Sequence, residues 1–177
     1  MPTLSPRPST ANDNPDDGAD KDQADDRFSS PAEARKKAMD YLARREYGQL
    51  ELRTKLVDAG FEEQTAIFAV EQLTRDGLQD DGRFVENFIQ SRIHQGKGPV
   101  RIRMELEQRG IDGATVGELL EGKHEDWTAL ARQVRQKKFG AGPPRDFREK
   151  ARQMRFLQYR GFESGQIHGA IASRDGD

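Results

Sequence analysis

Apolar residues recur every three or four positions along most of the chain, which is the spacing of α-helices with one buried face. The first helix has a clear start at Ser30, because Ser-Pro-Ala-Glu forms a capping box with a hydroxyl N-cap, Pro31 in the first turn and Glu33 three residues on. Its apolar face continues through Ala34, Ala38, Tyr41 and Leu42. No later segment alternates apolar and polar residues as a strand would, so the sequence predicts an all-α fold.

The chain contains an internal repeat. Segments 56–61, 106–111 and 157–162 each read leucine, three residues, glycine and a large apolar residue, and their leucines lie 50 and 51 positions apart. A glycine that ends a helix adopts the left-handed conformation without strain. The apolar residue after it pairs with one in the next helix as a hydrophobic staple. The pattern predicts helix, glycine turn and helix, with staple pairs Phe61/Ala66, Ile111/Val116 and Phe162/Ile167.

A further helix precedes each of these helix pairs. Apolar stripes at helical spacing occur at Phe84, Val85, Phe88 and Ile89 and again at Trp127, Leu130, Ala131 and Val134. The sequence therefore predicts three tandem three-helix repeats, at residues 31–79, 80–123 and 124–177. Each repeat is too short to bury a large core alone, so we expect an elongated row in which neighbours contact each other.

The first 30 residues differ from the rest of the chain. They hold seven Asp, three basic residues and four Pro, with almost no large apolar side chains. Such a segment buries too little apolar surface to offset the entropy lost on ordering. Residues 1–30 are predicted to be a disordered acidic tail, and an arm that mimics nucleic acid is the alternative. The tail and three small cores explain a hydrophobic share of only 33%.

Several classes of protein are excluded by composition. The 177-residue chain has no Cys, hence no disulfide or thiolate metal site, and His94, His124 and His168 lack ligand spacing. No apolar run approaches the roughly 18 residues of a membrane span, and the start lacks a secretory pattern. No nucleophile–base pair or carboxylate couple stands out. We expect a soluble, cytoplasmic protein that is not an enzyme and has no metal or other cofactor.

Charge is separated along the chain, although the net charge is only −2. Residues 127–160 carry ten basic and two acidic groups, and residues 46–81 carry nine acidic and three basic groups. A basic end of this kind is suited to phosphates, while an acidic end avoids them and faces protein. The alternative is that these charges only solvate helix faces.

The central repeat carries a specific family pattern. It reads DDGRFV at 80–85, GKGP at 96–99 and RIRMELEQRGI at 101–111, and it closely resembles the central repeat of the RecX family. The flanking segments 41–61 and 155–162 match the same family, so the resemblance covers about residues 33–173. RecX proteins are bacterial regulators of the RecA recombinase built from three tandem three-helix repeats, which is the architecture that the resemblance implies here.

The resemblance also implies a function. RecX proteins bind RecA filaments on single-stranded DNA, lie in the filament groove, and inhibit ATP hydrolysis, strand exchange and co-protease activity. The resemblance places this chain in the regulation of DNA repair, homologous recombination and the SOS response. We expect a monomer that contacts single-stranded DNA through the filament. The basic residues that we select as candidates for RecA or DNA binding are Lys97, Arg101, Arg103, Arg109, Arg132, Arg135, Lys137, Lys138, Arg148, Arg152, Arg155 and Arg160.

Two alternatives compete with this interpretation. A helix, a glycine turn and a second helix also describe a helix-turn-helix, so a nucleic-acid-binding module acting without RecA remains open. Gly96-Lys97-Gly98-Pro99 either begins a helix, with Gly98 as N-cap, or offers backbone amides to an anion. Asp80-Asp81 is either a helix N-cap or a pair of metal ligands. Trp127 is either a core residue or a platform on which a base stacks. Phe156 and Tyr159 are either part of a single-strand surface or, for Phe156, a buried side chain.

Overall fold

The computed structural model describes residues 28–122 and 126–172. Within them the chain forms nine α-helices, which confirms the all-α prediction. The first three are α1 (Pro31–Leu42), α2 (Gln49–Asp58) and α3 (Glu63–Arg75). They are followed by α4 (Asp81–His94), α5 (Pro99–Glu107) and α6 (Gly113–Gly122), and then by α7 (Trp127–Phe139), α8 (Phe147–Tyr159) and α9 (Ser164–Ala172). These three groups are called the first, second and third units below.

Each unit has its own apolar core, and the repeat lies at its centre. Leu56, Leu106 and Leu157 are completely buried, one in each core. The glycine turns also behave as predicted, with φ values of 102°, 80° and 92° at Gly60, Gly110 and Gly161. Both members of every staple pair are buried. The helix–glycine–helix prediction is therefore confirmed in all three units.

Polar side chains cap the helices where the sequence predicts it. The Ser30 hydroxyl accepts a hydrogen bond from the Glu33 amide at 3.5 Å. The Asp80 carboxylate accepts a hydrogen bond from the Arg83 backbone amide at 2.8 Å, and the Asp112 carboxylate accepts one from the Thr115 backbone amide at 3.0 Å. Asp80 is thus an N-cap, as the simpler of its two interpretations required.

The first unit begins before Ser30. Phe28 packs edge-to-face on Phe61, with ring centroids 5.7 Å apart, and its carbonyl accepts a hydrogen bond from the Glu62 amide. Its ring also lies against Gly60, on the side where a Cβ would stand. Composition assigned Phe28 to the acidic tail, whereas its contacts belong to the core of the first unit. Residues 1–27, the repeat boundary at 123/124 with His124, and residues 173–177 lie outside the described residues.

A buried polar network joins the first unit to the second. Gln79 is 1% exposed, and its side-chain amide donates to the Tyr47 carbonyl and to Asp81 Oδ1, at 3.1 and 2.8 Å. The same Asp81 oxygen accepts from the Gln49 amide at 2.9 Å, which caps the start of α2. Asp81 therefore links two units.

Backbone hydrogen bonds join the second unit to the third. The amides of Gly98 and Val100 at the start of α5 donate to the carbonyls of Arg160 and Gly161 at the end of α8, at 2.9 and 3.1 Å. A Cβ at Gly98 would overlap the Gly161 carbonyl, so only glycine permits this approach. Half-buried Trp127 packs on the core of the second unit, which makes it a core residue there although it begins a helix of the third unit.

No helix in the described part of the chain has the length and apolar character needed to cross a bilayer.

Candidate nucleic-acid interface

The structure places the twelve basic candidates in three environments. One of them is buried, namely Arg135. Five are half-buried, namely Lys97, Arg101, Arg109, Arg132 and Arg160. Six are exposed, namely Arg103, Lys137, Lys138, Arg148, Arg152 and Arg155. Arg103 and Arg109 lie in α5 and just after it, and the other ten candidates lie in or beside the third unit.

Arg135 does not belong to a binding surface, so its selection as a candidate is corrected. It is 1% exposed, and its guanidinium donates to the carbonyls of Gly142 and Ala141 and to the Gln153 side chain, at 3.0, 3.3 and 3.4 Å. It therefore ties the loop between α7 and α8 to both helices. A guanidinium held in this way cannot reach a phosphate.

Arg101 is committed to an ion-pair cluster inside the second unit. Glu105 accepts hydrogen bonds from Arg92 at 2.6 Å and from Arg101 at 2.9 Å. Burial alone raises the pKa of Glu105, but the hydrogen bonds from Arg101 and Arg92 outweigh it, so that the pKa lies below its ordinary value. Arg109 donates to the Glu105 carbonyl at 2.7 Å. These contacts give Arg101 and Arg109 structural roles.

The outer face of α8 combines exposed arginines with exposed aromatic rings. At 100° per residue, positions 147, 148, 152, 155 and 159 fall within an arc of about 140°. The five side chains are all exposed, and the two rings are largely open to solvent, with Phe147 at 86% and Tyr159 at 75% exposure. None of the helix's own residues in this arc is acidic; Glu149 lies beside it and is 3.8 Å from Arg152. We call these five residues, Phe147, Arg148, Arg152, Arg155 and Tyr159, the α8 outer face.

The sequence indicated only part of this face. It pointed to Phe156 beside Tyr159, but Phe156 is half-buried and its ring packs edge-to-face on Phe139, with centroids 5.4 Å apart. The second exposed ring of this face is Phe147 and not Phe156, and sequence reasoning missed it. Helical phase does not identify it, because Phe147, the first residue of α8, lies only about 80° from buried Leu157 around the helix axis.

A second basic region is a cleft between the second and third units, with a volume of about 640 Å³. Its walls come from the end of α4, from α7 and from the side of α8 that faces α7. Three cationic side chains line it, namely Lys137, Lys138 and Arg160. We call this space the interunit cleft.

The Gly96-Lys97-Gly98-Pro99 loop is a structural junction. Its Lys97 amide donates to the Arg92 carbonyl at 3.0 Å, and the Gly98 and Val100 amides are bonded to α8. The anion-site interpretation of this loop is therefore wrong, because these amides already have acceptors. Within residues 28–122 and 126–172, no group of His, Asp or Glu side chains is arranged to hold a metal ion.

Three family models match the chain, one for each unit. They describe the first, second and third three-helix domains of RecX and match residues 34–73, 80–120 and 124–171. The chain is 46% identical over 140 residues to the regulatory protein RecX of Halorhodospira halophila, covering 79% of this chain and 87% of that protein. It is 41% identical over 146 residues to the regulatory protein RecX of Pseudomonas entomophila, covering 82% and 94%.

Solved structures share the fold at lower sequence identity. A crystal structure of regulatory protein RecX superposes with a TM-score of 0.68 and 22% identity, covering 86% of this chain and 76% of that one. The crystal structure of RecX from Lactobacillus salivarius gives a TM-score of 0.66 and 18% identity, covering 80% and 94%. At this level of identity the likeness concerns the fold.

Proposed function

The chain belongs to the RecX family of regulatory proteins, which modulate RecA, and we propose that its third unit contacts the single-stranded DNA of the RecA filament through the α8 outer face. The acidic stretch at residues 46–81, with nine acidic and three basic groups, faces RecA protein in this proposal. The protein acts as a monomer in the bacterial cytoplasm, where it lies along the filament and inhibits ATP hydrolysis, strand exchange and co-protease activity.

The observation that carries this proposal is the composition of the α8 outer face. Single-stranded nucleic acid is bound by surfaces that alternate cations for the backbone with open rings for the bases. Arg148, Arg152 and Arg155 supply the cations, and Phe147 and Tyr159 stand about 18 Å apart along the helix axis as rings. Stacking on such rings is worth about 1–3 kcal/mol per base and tolerates any sequence. That tolerance suits a regulator that meets a filament formed on arbitrary DNA.

The helix-turn-helix alternative fails on the charge of its second helix. In that motif the helix after the turn enters the major groove, so it needs side chains that reach phosphates and base edges. The helices that follow the glycine turns are α3, α6 and α9. Neither α6 nor α9 contains Lys or Arg, and α3 has one Arg and two Glu. The basic residues lie on the helices before and between the turns.

The test compares two triple charge reversals. The first changes the α8 outer face by Arg148→Glu, Arg152→Glu and Arg155→Glu; the control changes the exposed basic residues of the first unit by Lys36→Glu, Lys37→Glu and Arg44→Glu. Both variants lose the same charge. We expect the first to bind a labelled dT oligonucleotide at least about tenfold more weakly than the wild type, because each arginine lost removes a phosphate contact. The control is expected to stay within about twofold.

The same proteins are then titrated into RecA from the same bacterium during single-strand-dependent ATP hydrolysis. The wild type is expected to suppress hydrolysis at sub-stoichiometric amounts, and the α8 variant is expected to need several times more protein. Full suppression by the α8 variant, together with unchanged oligonucleotide binding, would remove the α8 outer face from the interface. No effect of wild-type protein at an equimolar amount would contradict RecA inhibition itself.

A further inference from the structure

The interunit cleft is a second basic feature of the third unit, separate from the α8 outer face. On a helical wheel, Phe156 and Arg160 lie about 180° and 220° from Phe147, so that this side of α8 faces α7 and the end of α4. The cleft is lined there by Lys137 and Lys138 from α7 and by Ile93 and His94 from α4. It is therefore a concave site shared by two units, beside a convex helix face.

The cleft is cationic, and the described residues that line it include no Asp or Glu. Within the described part of the chain, neither Lys137 nor Lys138 forms an ion pair. Arg160 donates one hydrogen bond, from Nη2 to the Gln95 carbonyl at 2.6 Å, and its buried Nε makes none with the described residues. Three cations that converge without an acid favour an anionic ligand.

The floor of the cleft is aliphatic rather than open aromatic surface. Half-buried Ile93, Leu130 and Val134 line it. The one aromatic ring among its described lining residues, Phe156, has Lys138 Nζ 4.9 Å and Arg160 Cζ 5.8 Å from its centroid and packs edge-to-face with Phe139. A nucleobase would compete with these cations for the Phe156 ring, whereas an aliphatic side chain would find a matching apolar floor.

We propose that the interunit cleft binds an acidic peptide segment of a protein partner, in which Asp or Glu residues flank an aliphatic side chain. The aliphatic side chain packs on Ile93, Leu130 and Val134, and the flanking carboxylates pair with Lys137, Lys138 and Arg160. The acidic arm of this chain does not fit, because its Asp-rich stretch at 13–26 contains no Val, Leu, Ile or Met. A nucleic acid would meet the cations but would leave the apolar floor unused.

The test uses the full chain and a fluorescein-labelled twelve-residue peptide with two central Leu residues flanked by Glu. We expect the wild type to bind it in fluorescence anisotropy, and the Lys137→Glu, Lys138→Glu double variant to bind at least about tenfold more weakly. The matched control is Arg148→Glu, Arg152→Glu on the α8 outer face, which has the same charge change and should keep peptide affinity within about threefold. Both lysines are exposed, so both variants should melt as the wild type does.

Changes in the probe separate the two parts of the proposal without altering the protein. Replacing the Leu residues of the peptide by Ser, or its Glu residues by Gln, should weaken binding by several-fold in each case. Equal affinity of the Ser peptide, or of the double lysine variant, would overturn the proposal, as would absence of peptide binding by the wild type. If the lysine variant instead loses dT oligonucleotide binding as fully as the arginine variant does, the cleft binds nucleic acid and the peptide assignment is wrong. Since the arginine variant tests the α8 outer face with the oligonucleotide and with RecA, and the lysine variant tests the cleft with the peptide, failure of one proposal is distinguishable from failure of the other.

Discussion

Two basic residues of α7, Arg135 and Lys137, have different roles although they lie only two positions apart. Their helical phase decides which of them faces the interior. Arg135 points inward and satisfies three acceptors, whereas Lys137 is exposed at the interunit cleft. A linear count of basic residues treats the two as equal. At the scale of the residue, the burial of a charge and its hydrogen-bond partners determine its contribution.

This difference gives a prediction on stability. We expect Arg135→Met to lower the free energy of unfolding by about 2–3 kcal/mol, since it removes the hydrogen bonds to the α7–α8 loop and leaves the buried Gln153 amide oxygen without its donor. Lys137→Met is the matched change on the same helix and should stay within about 0.5 kcal/mol of the wild type. Urea unfolding followed by circular dichroism measures both. Equal stability of the two variants would refute the structural role of Arg135.

The lowered pKa of Glu105 predicts a pH dependence. Because the folded-state pKa lies below the ordinary value of 4.5, the ion pairs stabilise the fold above that pH, and this contribution is lost as pH falls through the lowered folded pKa. Glu105→Gln should therefore cost about 1 kcal/mol at pH 7, a figure kept small because Arg101 is over a third exposed. The gap between variant and wild type should be smaller at an acid pH well below 4.5 than at pH 7. Unfolding curves that show the same gap at both pH values would contradict this account.

At the scale of the element, the glycine turns could be predicted from the sequence, whereas the contact that Gly98 makes with another unit could not. The turns at Gly60, Gly110 and Gly161 were predictable because their requirement is local: each ends a helix with positive φ and precedes a staple residue. Gly98 was assigned correctly as an N-cap. Its close contact with Gly161, 63 residues later, depends on how two units pack, and no local pattern contains that information.

The contact at Gly98 can be tested with a single methyl group. Gly98→Ala keeps an acceptable φ of −84°, so its cost arises from the overlap of the new Cβ with the Gly161 carbonyl. We expect a loss of about 1–3 kcal/mol and faster hydrogen exchange of the Val100 amide, which donates across the junction.

Gly117→Ala in α6 is the control for this change. Nothing lies within 4 Å of the Cβ it would add, so alanine should stabilise the helix by up to about 1 kcal/mol. If the two alanines have the same effect on stability, the junction between α5 and α8 does not constrain Gly98.

The same limit applies to α8. Its arginine content and Tyr159 were visible in the sequence, but the choice between Phe147 and Phe156 as the second open ring required the packing of α8 on α7. Phe156 lies where α8 meets Phe139, whereas Phe147 is the first residue of α8 and is 86% exposed. Residue types thus indicated the chemistry of the surface, and tertiary packing decided its members.

At the scale of the whole molecule, the acidic stretch 46–81 and the basic stretch 127–160 lie in units that are each bonded to the next. The first and second units share the Gln79–Asp81 network, and the second and third share the backbone bonds between α5 and α8. The chain thereby holds an acidic region and a basic region in one covalent and hydrogen-bonded row. A net charge of −2 describes neither region, so binding to a polyanion depends on local charge rather than on the sum.

Salt dependence distinguishes local charge from net charge. For single strands, the logarithm of the binding constant falls with the logarithm of salt concentration by about 0.7 for each phosphate neutralised, so three arginines on the α8 outer face predict a slope near −2. Neutralising the exposed acids of the first unit by Glu62→Gln, Glu63→Gln and Glu71→Gln changes the net charge from −2 to +1 but adds no phosphate contact. The slope of this variant should therefore match that of the wild type in oligonucleotide titrations from about 50 to 200 mM salt, while each Arg→Gln change on α8 should reduce the slope by about 0.7. A slope that follows net charge instead would show that the whole-molecule field, and not the α8 outer face, governs DNA binding.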